Sequence, residues 1–311
     1  MAITELRLPA PRGPAPGGAL ATARSLFKAM RPKQWTKNGL VFVAVVFAQR
    51  LGNGRDVLLG LLAVLLFCLM SGVVYLVNDL VDLEKDRQHP VKRNRPLASG
   101  RLKPRTAVVA AVVVGLGSLA VAAVVSPSPL FPLALLGFVV LNLAYSFYLK
   151  NIVLLDLFGI AGGFMLRAVG GAVIIGVEIS PWLYLCTLLG SLFIGLAKRR
   201  HELLVLEGTA AAHRKILGEY TPEFLEELIS MMTSALLVSY ALYTYFAYRT
   251  HAMMATIPFA VYGIFRYLYL VHLKNEGGAP EEILLRDRPL LIDIVLWVGT
   301  SGVILYFFTQ R

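Results

Sequence analysis

The chain has 311 residues, 57% of them apolar and only 16% charged, with a mean hydropathy of +0.67 and a formal net charge of +11. Soluble domains carry about 25% charged residues, so an ordinary water-solvated globule is excluded and most of the chain must face lipid. The Lys and Arg residues sit in short segments between apolar runs, which excludes nucleic acid as the partner and puts the lipid bilayer in its place.

Residues 1–27, which include PAPRGPAPGG, predict a disordered cytosolic tail without an evident cleavable signal peptide. Residues 28–311 predict an all-α, polytopic membrane domain. A crossing of roughly 30 Å needs about 20 apolar residues. Nine such runs are read, at about 37–50, 56–80, 106–126, 130–149, 152–176, 181–198, 227–248, 253–273 and 289–308. The first is short unless Trp35 and its neighbours join it. Cys68 and Cys186 lie inside apolar runs with no CxxC spacing and read as packing residues.

Orientation follows from the basic residues. With the N-terminus inside, seven precede residue 38, eight lie in 82–105, one is Lys150, five lie in 198–215 and three in 274–288. Only Arg50, Arg55, Arg249 and Arg311 fall on the other side. The expected topology is therefore N-terminus inside, C-terminus outside.

The most informative stretch is Asn78-Asp79-Leu80-Val81-Asp82-Leu83-Glu84-Lys85-Asp86, at the cytosolic end of the second run. On a helix Asn78, Asp82 and Asp86 recur every four residues, and Asp79 precedes Asp82 by three, so four oxygen-bearing side chains share one face. Carboxylates clustered at a membrane boundary are costly without a cation. Hard oxygen donors suit Mg²⁺, which keeps some waters and bridges carboxylates to substrate phosphates. The basic loop that follows holds Lys92, Arg93 and Arg95, suited both to topology and to neutralising phosphate beside the metal.

NDxxDxxxD at 78–86 with the HPxKRxRPLASG loop resembles the first aspartate-rich motif of the UbiA-type intramembrane prenyltransferase superfamily. The likeness spans roughly residues 28–308. It implies nine transmembrane helices around a central cavity open to the cytosol and laterally to lipid. Aromatic prenyltransferases of the superfamily carry a second box, DxxxD, after the sixth helix; here that place reads Lys198-Arg199-Arg200-His201-Glu202. With RPKQWTKN at 31–38, YSFYLK at 145–150 and LRDRP at 285–289, this departure is similar to the decaprenyl-phosphate phosphoribosyltransferase branch. Asp156 stands where that branch leads one to expect Glu.

The resemblance implies a transferase of the bacterial plasma membrane that moves 5-phosphoribose from phosphoribosyl diphosphate (PRPP) to a polyprenyl phosphate, for cell-wall arabinan synthesis. Asp79, Asp82 and Asp86 would be catalytic, holding Mg²⁺ with Asn78. Lys198 and Arg199 would grip phosphate, with Glu202 positioning them or the ribose. Tyr145 and Lys150 are candidates for sugar or phosphate contacts, as are Lys33 and Lys37 before the first span. Arg167, eleven residues after Asp156 on the same helical face, is a buried cation inside a span and a functional candidate on that ground. His89 and His201 read as helix-end residues. A homo-oligomer is compatible with all of this.

Two other readings stand beside it. A prenyl-diphosphate-consuming enzyme with an aromatic or haem-type acceptor shares the fold but expects the second acidic box. A transporter expects repeats and mid-membrane charges, whereas these charges cluster at helix ends.

Overall fold

The computed structural model describes residues 18–205, 215–247, 250–274, 283 and 286–307. Among them the regular elements are all helical. In chain order they are α1 (Ala19–Ala29), a 3₁₀ stretch (Pro32–Phe42), α2 (Val43–Phe47), α3 (Gly54–Val81), α4 (Leu83–Gln88), α5 (Pro104–Val125), α6 (Leu130–Phe147), α7 (Leu155–Ile174), α8 (Pro181–Val205), α9 (Pro222–Phe246), α10 (Ile257–Leu273) and α11 (Arg288–Phe307). Short 3₁₀ turns at Lys92–Asn94, Leu149–Asn151, Lys215–Glu219 and His251–Thr256 join them.

The tail expected over 1–27 is helical from Ala19 onward, which corrects that part of the expectation; residues 1–17 lie outside the described residues. Eight helices among the described residues are long and apolar enough to cross a membrane, and they fall on the second to ninth predicted runs. The first run takes another form. Pro32, Gly39 and the polar Gln34, Thr36 and Asn38 oppose an α-helix, and eleven residues wind as 3₁₀ before the five of α2.

Packing concentrates in two units: Met1–Trp35 with Cys68–Ala120, and Thr36–Phe67 with Val121–Arg311. The core of the first gathers Met30, Val73, Leu76, Leu97 and Leu102, all buried. Gly72 lets Met30 lie directly on α3, since a Cβ there would collide with the methionine side chain. The core of the second gathers Leu157, Phe193, Leu196, Leu225, Tyr267 and Leu270. Phe67 packs edge-on against Phe131 and Phe138, 6.3 and 5.4 Å between centroids. Along α5, by contrast, Val108, Val109, Val112, Val113 and Leu116 stay exposed. In water such a stripe would mark an interface; on an apolar span it is the face solvated by acyl chains.

The start of α9 shows how local chemistry sets an element boundary. Thr221 caps the helix by accepting the Phe224 N–H at 3.2 Å, and Pro222 occupies the first turn, where its missing N–H costs nothing.

Candidate functional site

In the first unit, α3 runs to Val81 and α4 resumes at Leu83, with helical hydrogen bonding carried through the junction: Asp82 N–H to the Asn78 carbonyl at 3.0 Å and Asp86 N–H to the Asp82 carbonyl at 2.8 Å. The spacing in the sequence thus survives as a nearly continuous helical end. Asp79 and Asp86 are each only 2% exposed, while Asn78 and Asp82 are half-buried. Arg95 Nη1 donates to both inner carboxylates, at 3.2 Å to Asp79 Oδ1 and 2.6 Å to Asp86 Oδ2. Arg31 Nη2 donates to the same Asp79 oxygen at 2.5 Å and lies 4.5 Å over the Tyr75 ring.

The loop that delivers Arg95 is built from its own side chains. Ser99 Oγ donates to the Arg95 carbonyl at 2.7 Å, Arg101 Nε to Ser99 Oγ at 2.9 Å, and Arg101 Nη2 to the Asn94 carbonyl. Gly100 turns the chain at φ +75°. His89 Nδ1 accepts the Val91 and Lys92 N–H groups, which is the helix-end role its position suggested. Lys92, Arg93 and Lys33 are exposed.

Among the described residues no three His, Cys, Asp or Glu side chains form a ready-made metal cage. Two carboxylates, Asp79 and Asp86, converge on one cationic nitrogen; Asn78 and Asp82 stand alongside rather than completing a four-donor ring. That arrangement still fits Mg²⁺, which is held through one or two carboxylates plus substrate phosphates rather than by an all-protein cage.

In the second unit a different network forms. Asp156, fully buried in the first turn of α7, accepts Arg199 Nε on Oδ2 at 2.7 Å and the Tyr220 hydroxyl on Oδ1 at 2.9 Å. Arg199 is 1% exposed; its Nη1 donates to Glu202 at 2.5 Å and its Nη2 to the Tyr145 hydroxyl at 3.2 Å. The expectation that Arg199 grips phosphate therefore meets a side chain turned inward, with all three guanidinium nitrogens engaged by protein. Lys198, Glu202, Tyr145 and Lys150 are half-buried. Arg200 turns away and forks onto Glu226.

Tyr220 also accepts the Leu154 N–H at 2.8 Å, fixing a residue at φ +66° just before α7. Burial pushes the Tyr220 phenol up to about 12, so it remains a donor to Asp156 at neutral pH.

Arg167 and Asp156, about 16 Å apart along α7, have separate partners. Arg167 Nε donates to Asn38 Oδ1 at 2.7 Å and Nη1 to the Gly163 carbonyl at 2.9 Å, and the guanidinium lies 4.5 Å over Phe138. Arg266, on α10, forks onto Asp287, whose carboxyl that pairing holds below the usual carboxylate range. Leu285 of the LRDRP segment lies outside the described residues.

Sequence reasoning missed Arg31, Asn38 and Tyr220. Arg31 and Asn38 both stand in the RPKQWTKN segment already singled out. Tyr220 lies 64 residues from Asp156, and no local pattern announces that contact.

The second unit also has an open-sided cavity of about 690 Å³ along the N-terminal half of α8, lined by Phe47, Phe164, Trp182, Tyr243 and Trp297 among mostly apolar neighbours. Its polar features include the Tyr240 hydroxyl, which accepts Trp297 Nε1 at 2.6 Å and pairs with Thr256. Arg199 and Glu202 occupy the other end of the same helix.

The chain is 36% identical to the decaprenyl-phosphate phosphoribosyltransferase of Corynebacterium glutamicum over 89% of this chain and 85% of that one. It is 35% identical to the enzyme of the same name from Mycolicibacterium smegmatis, over 91% and 92% of the two. In fold it is similar to a UbiA homolog from Archaeoglobus fulgidus solved with DMAPP and Mg²⁺, with a TM-score of 0.67 and 19% identity over 91% of this chain and 100% of that one. Matched by the model of that family from residue 39 to residue 283, and with eight helices among the described residues long and apolar enough to cross a membrane, the chain belongs to the UbiA prenyltransferase family.

Proposed function

We propose that this integral membrane protein is a decaprenyl-phosphate phosphoribosyltransferase, moving the 5-phosphoribosyl group from PRPP to a polyprenyl phosphate with release of diphosphate. The observation that carries the reading is similarity along nearly the whole length to enzymes of that name. The Lys198–Glu202 segment supports it, because a basic cluster replaces the acidic box expected of a prenyl-diphosphate enzyme.

A lipid phosphate oxygen attacks C1 of the ribose; the new C1–O bond forms as the bond to diphosphate breaks, through an oxocarbenium-like state with inversion. The attacking phosphate is already anionic near neutral pH, so no general base is required. Asp79, Asp82 and Asp86, with Asn78, would hold Mg²⁺, which would supply positive charge to neutralise the leaving diphosphate. Lys92, Arg93 and Arg95 supply phosphate contacts from the loop, and Lys33 and Lys37 from the segment before the first span. Arg199 acts through others: clamped by Asp156, it fixes Glu202 and the Tyr145 hydroxyl for the sugar, with Lys198 and Lys150 beside them for phosphate. Arg167 holds the 3₁₀ stretch through Asn38. The apolar cavity takes part of the polyprenyl chain. The setting is the bacterial plasma membrane with the N-terminus and active site cytosolic.

Membranes containing the protein, given labelled PRPP and polyprenyl phosphate, should yield a labelled lipid and diphosphate. Prenyl diphosphate with an aromatic acid should yield nothing. Asp82→Ala, Asp86→Ala or removal of divalent ions should abolish turnover of a protein still folded in the membrane. Product formed only from the prenyl diphosphate would replace this reading with the aromatic one. Undiminished turnover after chelation would remove the metal from it.

A further inference from the structure

Asp79 and Asp86 are almost wholly buried, yet the charges that balance them come from side chains still about 30% exposed: Arg31 at 31% and Arg95 at 28%. A guanidinium at that level of exposure can leave its partner without being dragged out of a packed core. Arg31 carries a second mark. Its backbone sits at φ +54°, in the left-handed region, which costs a non-glycine residue roughly 1–2 kcal/mol. The chain tolerates this at the residue whose side chain reaches Asp79, and Tyr75 supports the guanidinium from below.

Charge accounting gives the arrangement a direction. Two carboxylates and two guanidiniums cancel. A bare divalent cation approaching the same oxygens must displace the arginines and leave them with no anion, and without that displacement it meets two positive neighbours. A cation arriving with a diphosphate brings new acceptors. The arginines can then exchange carboxylate oxygens for phosphate oxygens, which take the same charge-assisted and forked hydrogen bonds, and no cation is left without an anion.

We infer that Arg31 and Arg95 hold the place of the cation at Asp79 and Asp86, and pass their hydrogen bonds to the diphosphate when it arrives with the metal. Arg31 is thereby a substrate-binding residue, and metal and diphosphate bind cooperatively, each weakly alone. The inference rests on the Mg²⁺–diphosphate reading of the acidic motif. Its signature is a pair of effects with opposite signs: loss of Arg31 removes a competitor of the bare metal and a ligand of the diphosphate.

The test uses the full-length protein in lipid nanodiscs, with Mn²⁺ as a spectroscopically visible cation and labelled inorganic diphosphate as the anion. Arg31→Asn is the informative variant, because Asn accepts the left-handed backbone better than most residues and folding is not at stake. Mn²⁺ alone should bind about tenfold more tightly than to wild type, and diphosphate at saturating Mn²⁺ about tenfold more weakly, a coupling of ordinary size between two ligands. Arg31→Lys, keeping the charge but not the fork, should return Mn²⁺ affinity towards wild type. If both affinities fall in Arg31→Asn, the arginine only braces the motif and the exchange is wrong; if neither moves, it is equally wrong. Wild-type protein that turns over PRPP but binds no Mn²⁺ sinks the metal reading and the exchange together. Wild-type Mn²⁺ binding with an unaltered Arg31→Asn sinks the exchange alone.

Discussion

Arg199 shows what burial does to a cation that the sequence presents as part of a basic cluster. A guanidinium with 1% of its surface exposed must spend its donors inside the protein, and Asp156, Glu202 and Tyr145 take them. Removing Asp156 leaves the buried Arg199 with only the half-buried Glu202 to balance its charge, and breaking a buried pair costs about 3–5 kcal/mol. Asp156→Ala is therefore expected to lower the unfolding temperature in detergent steeply. Tyr220→Phe keeps the ring and its stacking against Phe224, and loses only the hydroxyl between Leu154 N–H and Asp156. Its cost should be about 1 kcal/mol, the usual net worth of a hydrogen bond. Unfolding monitored by intrinsic fluorescence in the same detergent ranks the two. If Asp156→Ala melts with wild type, the pair holds nothing, and Arg199 returns to being a phosphate ligand.

Elements were legible where periodicity and length were strong, and obscure where a distant contact decided the geometry. Apolar runs of about twenty residues gave eight spans, most within a few residues of their observed ends; the run read as 181–198 extends to Val205 and the one read from 227 starts at Pro222. The first run, about 14 residues at 37–50, matches none of these spans, and nothing local announces that 32–42 winds as 3₁₀. What fixes that stretch is α7: Asn38 binds Arg167, and Gly171 lets the Val41 carbonyl lie directly on the helix, where any Cβ would strike it. Gly159 performs a similar service on the same helix, admitting the Tyr145 ring. A backbone carbonyl cannot step aside as a flexible side chain can, so Gly171→Ala should cost about 1–3 kcal/mol, typical of overpacking. Gly39→Ala, in the 3₁₀ stretch with nothing within 4 Å of its Cβ, is the matched control and should melt close to wild type. Equal melting of the two variants would mean that the close approach at Val41 is not a constraint.

At the scale of the whole chain, class and candidate chemistry were readable because both rest on counting: apolar content gave the membrane, and one acidic run among basic loops gave the motif. The wiring of that motif was not readable. Asp79 meets Arg31 from 48 residues upstream and Asp156 meets Arg199 from 43 downstream, separations that composition and spacing do not encode. Orientation rests on the same counting, and α6 allows it to be checked across one span. Its leading connection, SPSP at 126–129, has no basic residue, whereas its trailing turn carries Lys150. Positive charge resists translocation, so the trailing turn belongs inside and the leading one outside. In a background lacking Cys68 and Cys186, Ser128→Cys should react with a membrane-impermeant maleimide on intact cells. Asn151→Cys, on the exposed trailing turn, should react only after permeabilisation. The reverse pattern would invert the protein in the membrane and put Lys150 on the outer face, away from a phosphoribosyl donor supplied by the cytosol. Labelling of both positions from one side would mean that α6 does not cross.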